Sequence, residues 1–334
     1  MAPKQPEPGK SPPLAGQQGL SAPSHDLFGT SLEPSLLKAC GNRISNLRWF
    51  RTDWQRGGAV TAYADWAEGD DPTQPVVIKL PVPPQELRWL TRLQVAEGAL
   101  PIVPKIYAHG MELGGYDFAW VVMERLPVGP LDAAWGGNEF DLLIEAAGRF
   151  QAATAAYPVD RDPPDEHWPE LLDRARKTLR ECVLPEAQRW NGVLKIVKKK
   201  LKPMLARWHA DDHPGWCHGD LHLANAMTHH PAPLGPAVLF DLARVHVGRW
   251  IEDAVYVEHL FWTVPHRLDG RDLVKNLSRE RKRLDLPVES DWPRLANIRR
   301  VLLAVGNLAA QSRRPDPAQA EAGLLIVEKV LPSL

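Results

Sequence analysis

Strand-like and helical segments are separated along this chain of 334 residues, and their order restricts the folds that it can adopt. Up to about residue 127, most segments are strand-like, because they either alternate apolar and polar side chains or form short apolar runs bounded by turn residues. Beyond that residue the apolar positions recur at helical spacing. The predicted strands lie in residues 46–54, 59–67, 75–81, 102–110 and 117–126.

Strands followed by helices are typical of an α+β fold. A helix over 83–98, with prolines at its start and Gly98 at its end, falls among the strands, and a shorter helix over 31–41 precedes them. We therefore expect a small antiparallel-sheet lobe followed by a larger, mostly helical lobe. The longer predicted helices cover residues 138–157, 168–182, 186–210 and much of the chain from 250 onward.

Residues 1–30 differ from the rest in composition, since they are rich in Pro, Gly, Ser and Gln and poor in aromatic side chains. Such a segment buries too little apolar surface to offset the entropy of ordering it, which predicts a disordered tail. The expected division is a tail at 1–30, an N-terminal lobe at 31–127 and a C-terminal lobe at 128–334.

The overall charge gives no reason to expect a polyanionic partner. The formal net charge is −1 at pH 7, so no global field favours nucleic acid or a membrane surface. No stretch approaches eighteen apolar residues, and the N-terminus has no apolar signal-peptide core. Three widely spaced cysteines indicate neither a disulfide framework nor a zinc ribbon. We expect a cytoplasmic protein, and oligomeric state is not readable from the sequence.

The segment WCHGDLHLAN, residues 216–225, carries the strongest chemical signal. Asp220 and Asn225 are five positions apart between a helical and a strand-like segment, which is the spacing of a kinase catalytic loop. There the carboxylate accepts or orients the proton of an attacking hydroxyl, and the asparagine oxygen coordinates Mg²⁺. Asp241, at the end of the apolar run VLFD, is the expected second oxygen ligand.

Phosphoryl transfer also needs a cation on the phosphates. Lys79 lies on the predicted strand VVIKL, as the lysine of the kinase pattern V-A-I-K does. Glu86 opens the following helix and is the expected partner that orients Lys79.

Two further segments are candidates for contact with a nucleotide. Gly57 and Gly58 in QRGGAV permit close backbone approach to phosphates, although they equally fit a plain hairpin turn. The segment MERLPVGP at the predicted lobe junction would be the hinge that binds an adenine ring, through Met123, Glu124 and Leu126.

The segments HGDLHLAN and FDLARVHVGRWIEDAVY together resemble the aminoglycoside phosphotransferase and choline kinase family. The resemblance covers residues 45–262, and it is most specific over 218–253. Gly248, and Asp253 twelve residues after Asp241, fall where the family pattern has a glycine and an aspartate. The resemblance implies a protein-kinase-like fold and the phosphorylation of a small molecule.

Residue roles follow from the same resemblance. It implies that Asp220 is the catalytic base, that Asn225 and Asp241 bind Mg²⁺, and that Asp253 braces the catalytic loop. ATP is the expected co-substrate, with GTP left open. His218 is expected to support the loop.

Three questions stay open from the sequence. His218 and His222 have the spacing of a helical zinc pair, but the glycine between them favours a loop, in which His222 fixes the geometry or lies next to the substrate. The turn QRGG lacks the spaced glycines of the family, which motivates an alternative function as a nucleotide-binding pseudokinase or regulator. The acceptor could be an amino alcohol, a sugar, a glycated amine or an aminoglycoside.

Overall fold

The computed structural model describes most of the chain. The described residues are 27–50, 59–69, 71–96, 98–132, 137–184, 186–210, 214–311 and 316–334. Most of the predicted tail, and both Gly57 and Gly58, lie outside them.

The first part of the chain forms one antiparallel sheet in the order β1-β2-β3-β5-β4. From Val76 onward, the side chains of β3 alternate between buried and half-exposed positions, because successive side chains of a strand point to opposite faces of the sheet. The register joins Lys79 of β3 to Thr61 on one side and to Val121 on the other, so Lys79 lies in the middle of the sheet. The strands are β1 (Ile44–Phe50), β2 (Val60–Trp66), β3 (Gln74–Val82), β4 (Ile106–Gly110) and β5 (Ala119–Glu124).

The helix before the sheet, α1 (Leu27–Ala39), begins four residues earlier than predicted. A tertiary contact explains the difference, because the backbone of Gly29 lies against the indole of Trp49, where a Cβ atom would be 2.6 Å from the ring. The expectation that the tail extends to residue 30 is therefore wrong for its last four residues. The end of α1 is as expected, with Gly41 at φ +61°.

The helix after β3, α2 (Pro84–Arg92), ends six residues before Gly98, where it was predicted to stop. The Gln94 side chain accounts for the earlier end, since its amide donates to the carbonyl of Pro104 and accepts from the amide of Ile106. These bonds tie the chain after α2 to the approach to β4.

The rest of the chain is mostly helical, as predicted. Two short two-stranded sheets, β6 with β9 and β7 with β8, lie among the helices and carry the loop at 218–225. The elements are α3 (Glu139–Thr154), α4 (Trp168–Glu181), α5 (Ala187–Trp208), β6 (Gly215–Cys217), β7 (Ala226–Thr228), β8 (Ala237–Leu239), β9 (His246–Gly248), α6 (Ile251–Leu260), α7 (Leu273–Arg283), α8 (Trp292–Ala310) and α9 (Pro317–Val330).

Two apolar clusters of buried residues support this arrangement. The smaller one fills the space between α1 and one face of the sheet, and the larger one runs from α2 through α3 to the C-terminal helices. The α+β class with a small antiparallel sheet and a larger helical part is confirmed, whereas the boundary at residue 127 stays a prediction. No helix in the described ranges is long and apolar enough to cross a membrane.

Candidate active site

The loop between β6 and β7 holds Asp220 by its backbone on both sides. The amide of Asp220 donates to His218 Nδ1 at 3.3 Å, and its carbonyl accepts from Asn225 Nδ2 at 3.0 Å. The carboxylate is only 22% exposed. Asp220 and Asn225, the first and last residues of the D-x-x-x-x-N pattern, are thus joined by a hydrogen bond.

Asp253, in the first turn of α6, supports this loop from beneath. Its two carboxylate oxygens accept the backbone N–H groups of His218 and Gly219, each at 2.9 Å. Burial raises the pKa of Asp253, and the charge of His218 and the two backbone bonds oppose that shift. Gly219 has φ +79°, and a Cβ atom there would lie 2.2 Å from the carbonyl oxygen of Arg244, so the position requires glycine.

The two histidines of the loop do not form a helical zinc pair, because both lie in irregular backbone. His218 is fully buried, and burial lowers its pKa. His222 Nε2 lies 3.8 Å from Asp220 Oδ1. Within the described residues, the one cluster of three side chains with metal-binding donor atoms is Cys217, His246 and Glu252. It includes neither His218 nor His222.

Asn225 and Asp241 are brought together by the pairing of β7 with β8. Ala226 lies opposite Leu239, and the amide of Phe240 donates to the carbonyl of Asn225 at 3.1 Å. Because the Asn225 amide nitrogen is committed to Asp220, its side-chain oxygen remains as an acceptor. Asp241 has φ +59°, a conformation that aspartate tolerates better than most residues.

Lys79 and Glu86 form a close ion pair on the sheet side of the site. Lys79 Nζ lies 2.7 Å from both carboxylate oxygens of Glu86, which is only 2% exposed. Burial raises the pKa of Glu86, Lys79 lowers it, and the charge of Asp241 raises it again. The charge of Asp241 therefore acts on this pair. The Gln85 side chain fixes α2 here by donating to the carbonyl of Val245 at 2.8 Å.

The predicted hinge leads from β5 into the helical part. The backbone of Val128 exchanges two hydrogen bonds with Thr228, at 3.2 and 2.8 Å. Glu124 Oε1 lies 2.6 Å from His229 Nε2. Met123 is half-buried and Leu126 is buried. The contacts of Val128 with Thr228 and of Glu124 with His229 join the hinge to the strand and turn that follow Asn225.

Sequence reasoning missed Tyr256 of α6. Its hydroxyl donates to Asp220 Oδ1 at 2.8 Å. Tyr256 ends the segment FDLARVHVGRWIEDAVY, but it is not one of the pattern residues named there. Its distance of three residues from Asp253 puts both side chains on one face of a helix, and that spacing was the available signal.

The fold is similar to those of solved kinases and phosphotransferases. A microcompartment-associated aminopropanol kinase aligns with TM-score 0.58 and 15% identity, over 90% of this chain and 98% of that one. The GDP complex of wild-type aminoglycoside 2′-phosphotransferase-IIIa aligns with TM-score 0.54 and 14% identity, over 93% and 99% of the two chains. The predicted fold class is confirmed by these similarities. A comparison with curated protein sequences found no match.

A sequence model of the phosphotransferase enzyme family matches residues 37–296, which include the Lys79–Glu86 pair, the loop with Asp220 and all of α6. This match covers most of the chain and confirms the predicted family resemblance, and with it the prediction of a small-molecule phosphotransferase. The chain belongs to the phosphotransferase enzyme family.

Proposed function

We propose that this chain transfers the γ-phosphoryl group of ATP to a hydroxyl of a small molecule, with Asp220 as the catalytic base. The observation that carries the proposal is the bonded pair of Asp220 and Asn225, set beside Asp241 by the pairing of β7 with β8. This is the set of oxygen groups that a kinase mechanism uses at the reacting phosphate.

The donor chemistry of Asn225 and Asp241 fits Mg²⁺. One amide oxygen and one carboxylate are hard oxygen ligands, and Mg²⁺ commonly takes one or two such protein ligands together with phosphates and water. The Asn225 oxygen is available because its nitrogen donates to Asp220. When bound there, Mg²⁺ would neutralise part of the negative charge of the phosphates.

The remaining steps belong to the side chains of this chain. Lys79, oriented by Glu86, would hold phosphate oxygens, and the hinge at Met123, Glu124 and Leu126 would bind the nucleotide base. The acceptor oxygen bonds to the γ-phosphorus as the bond to the β,γ-bridging oxygen breaks. The hydroxyl proton passes to the Asp220 carboxylate, and ADP and a phosphate monoester leave.

The acceptor class stays open among amino alcohols, sugars, glycated amines and aminoglycosides. An aminopropanol kinase and an aminoglycoside phosphotransferase share the fold at similar identities, so the comparisons do not separate these classes. GTP is a second nucleotide to test, because the phosphotransferase structure holds GDP.

The direct test is ADP or GDP release from the Mg²⁺ complex of ATP or GTP, measured against a panel. The panel would contain 1-amino-2-propanol, choline, a hexose, a glycated amine and an aminoglycoside. We expect the rate of ADP or GDP release to rise with the concentration of acceptors of one class and to saturate. Nucleotide binding without release in the presence of any acceptor would contradict the proposal and favour the alternative, a nucleotide-binding regulator.

A further inference from the structure

We propose that Tyr256 is a positioning residue that fixes the orientation of the Asp220 carboxylate, so that Oδ1 is bound and Oδ2 faces the acceptor hydroxyl. The inference rests on the function proposed above. The Tyr256 hydroxyl donates to Oδ1 at 2.8 Å. Within the described part of the chain, no group donates a hydrogen bond to Oδ2.

The other contacts of Asp220 do not fix the orientation of its carboxylate. His218 Nδ1 and Asn225 Nδ2 bond only its backbone, which leaves the side-chain torsions unfixed. The terminal torsion of aspartate is intrinsically broad, so an unanchored carboxylate would sample many orientations. His222 Nε2 lies 3.8 Å from Oδ1, beyond hydrogen-bond distance. Tyr256 is therefore the side chain that selects one orientation.

Helix α6 thus contacts the catalytic loop twice on one face. Asp253 accepts the backbone N–H groups of His218 and Gly219, and Tyr256, one helical turn later, donates to the side chain of Asp220. A displacement of α6 would move both contacts together. The same helix therefore positions both the backbone of the loop and the carboxylate of Asp220. A precise site needs such support from a rigid element.

The hydroxyl of Tyr256 keeps its proton, which is needed for it to act as the donor. Burial first, and then the hydrogen bond and charge of Asp220, raise the pKa of Tyr256 above its ordinary value, while the charge of Arg244 opposes the shift. The ring of Tyr256 lies beside that of His259, with centroids 6.1 Å apart.

The kinetic test is Tyr256→Phe, which removes the hydroxyl and keeps the ring. Tyr157→Phe is the matched control, because the Tyr157 hydroxyl also makes one protein hydrogen bond, to the carbonyl of Arg92 at 2.6 Å, in another part of the fold. With the acceptor found in the panel, we expect kcat to fall about 10- to 100-fold in Tyr256→Phe, with both KM values within about twofold of wild type. Tyr157→Phe should leave kcat unchanged.

A double-mutant cycle separates positioning from general damage to the fold. In an Asp220→Asn background, Tyr256→Phe should cause no further loss of kcat, because the two side chains act as a unit. Equal losses in both backgrounds, or a kcat within about twofold of wild type in the single variant, would overturn the proposal.

A second readout needs no acceptor. In full-length protein labelled with ¹³C at aspartate side chains, the Asp220 carboxyl signal is assigned by its loss in Asp220→Asn. We expect Tyr256→Phe to move that signal and Tyr157→Phe to leave it in place. An unmoved signal would refute the positioning role by itself. A moved signal in a protein that phosphorylates no acceptor would support the contact and refute only the proposed function.

Discussion

The Asp253 carboxylate accepts the backbone N–H of Gly219 at 2.9 Å, across 34 residues of sequence. Its second oxygen accepts the next N–H toward the N-terminus, at the same distance. A buried carboxylate that takes two adjacent backbone donors fixes the peptide plane between them. The loop that carries Asp220 is therefore held by α6 as well as by the hydrogen bonds of His218 and Asn225 within the loop.

We predict that Asp253→Asn destabilises the fold by about 2–4 kcal/mol, because an amide replaces one of the two acceptors by a donor that faces a backbone N–H. Urea unfolding at pH 7 measures this change in the free energy of unfolding. Asp269→Asn is the control, since Asp269 is 80% exposed and its ion pair with Arg271 lies on the surface. Equal stability of the two variants would contradict the bracing role.

Glu86→Gln should raise the KM for nucleotide about 10-fold and change the free energy of unfolding less. The neutral amide keeps the shape of Glu86 but loses the charge that holds Lys79 Nζ at 2.7 Å. Initial rates at varied Mg-ATP measure the effect. Glu68→Gln is the control, because Glu68 pairs with Arg43 at 3.7 Å with both side chains more than half exposed. An unchanged KM in Glu86→Gln would refute the phosphate-orienting role.

Stability should fall between pH 6.5 and about 9 because of His246. Burial alone would lower its pKa, but the charge of Glu252, whose Oε2 lies 3.6 Å from His246 Nε2, outweighs burial and, together with the hydrogen bond to the Arg244 carbonyl and the charge of Asp253, raises the pKa to about 9. Since the folded-state pKa exceeds the unfolded value near 6.5, the stabilisation is complete below pH 6.5 and is lost as the pH rises through about 9.

The expected loss is on the order of 2 kcal/mol, allowing for the partial exposure of the ring. Urea unfolding of wild type and His246→Gln at pH 6.5 and pH 9.5 measures it. The variant should be less stable at pH 6.5, and its decline with pH should be smaller. An identical decline in both proteins would show that His246 is not the group responsible.

The sequence was informative where chemistry depends on local spacing. Asp220, Asn225 and Asp241 are predicted site residues from their spacing and from the strand end at Asp241, because a loop between two short strands places such residues in a predictable way. Lys79 and Glu86 were less constrained, since their contact depends on how α2 turns back over β3. The described structure brings them to 2.7 Å.

The contacts that sequence reasoning missed are set by tertiary packing. The spacing of Tyr256 from Asp253 indicates only that both lie on one face of a helix. Whether the Tyr256 hydroxyl reaches Asp220 depends on the position of α6 against the loop. The early start of α1 depends in the same way on Trp49, which accommodates Gly29 from another element. Local patterns give element types well, whereas such long-range fits become visible only in the folded chain.

The central claim is tested most directly by the turnover of Asp220→Asn. With Mg-ATP and the acceptor found in the panel, we expect kcat to fall by about three powers of ten or more, because the variant cannot take the hydroxyl proton. Nucleotide affinity, measured by calorimetry, should stay within about twofold of wild type, since Lys79, Asn225 and Asp241 remain in place. Turnover close to that of wild type would contradict the assignment of Asp220 as the catalytic base.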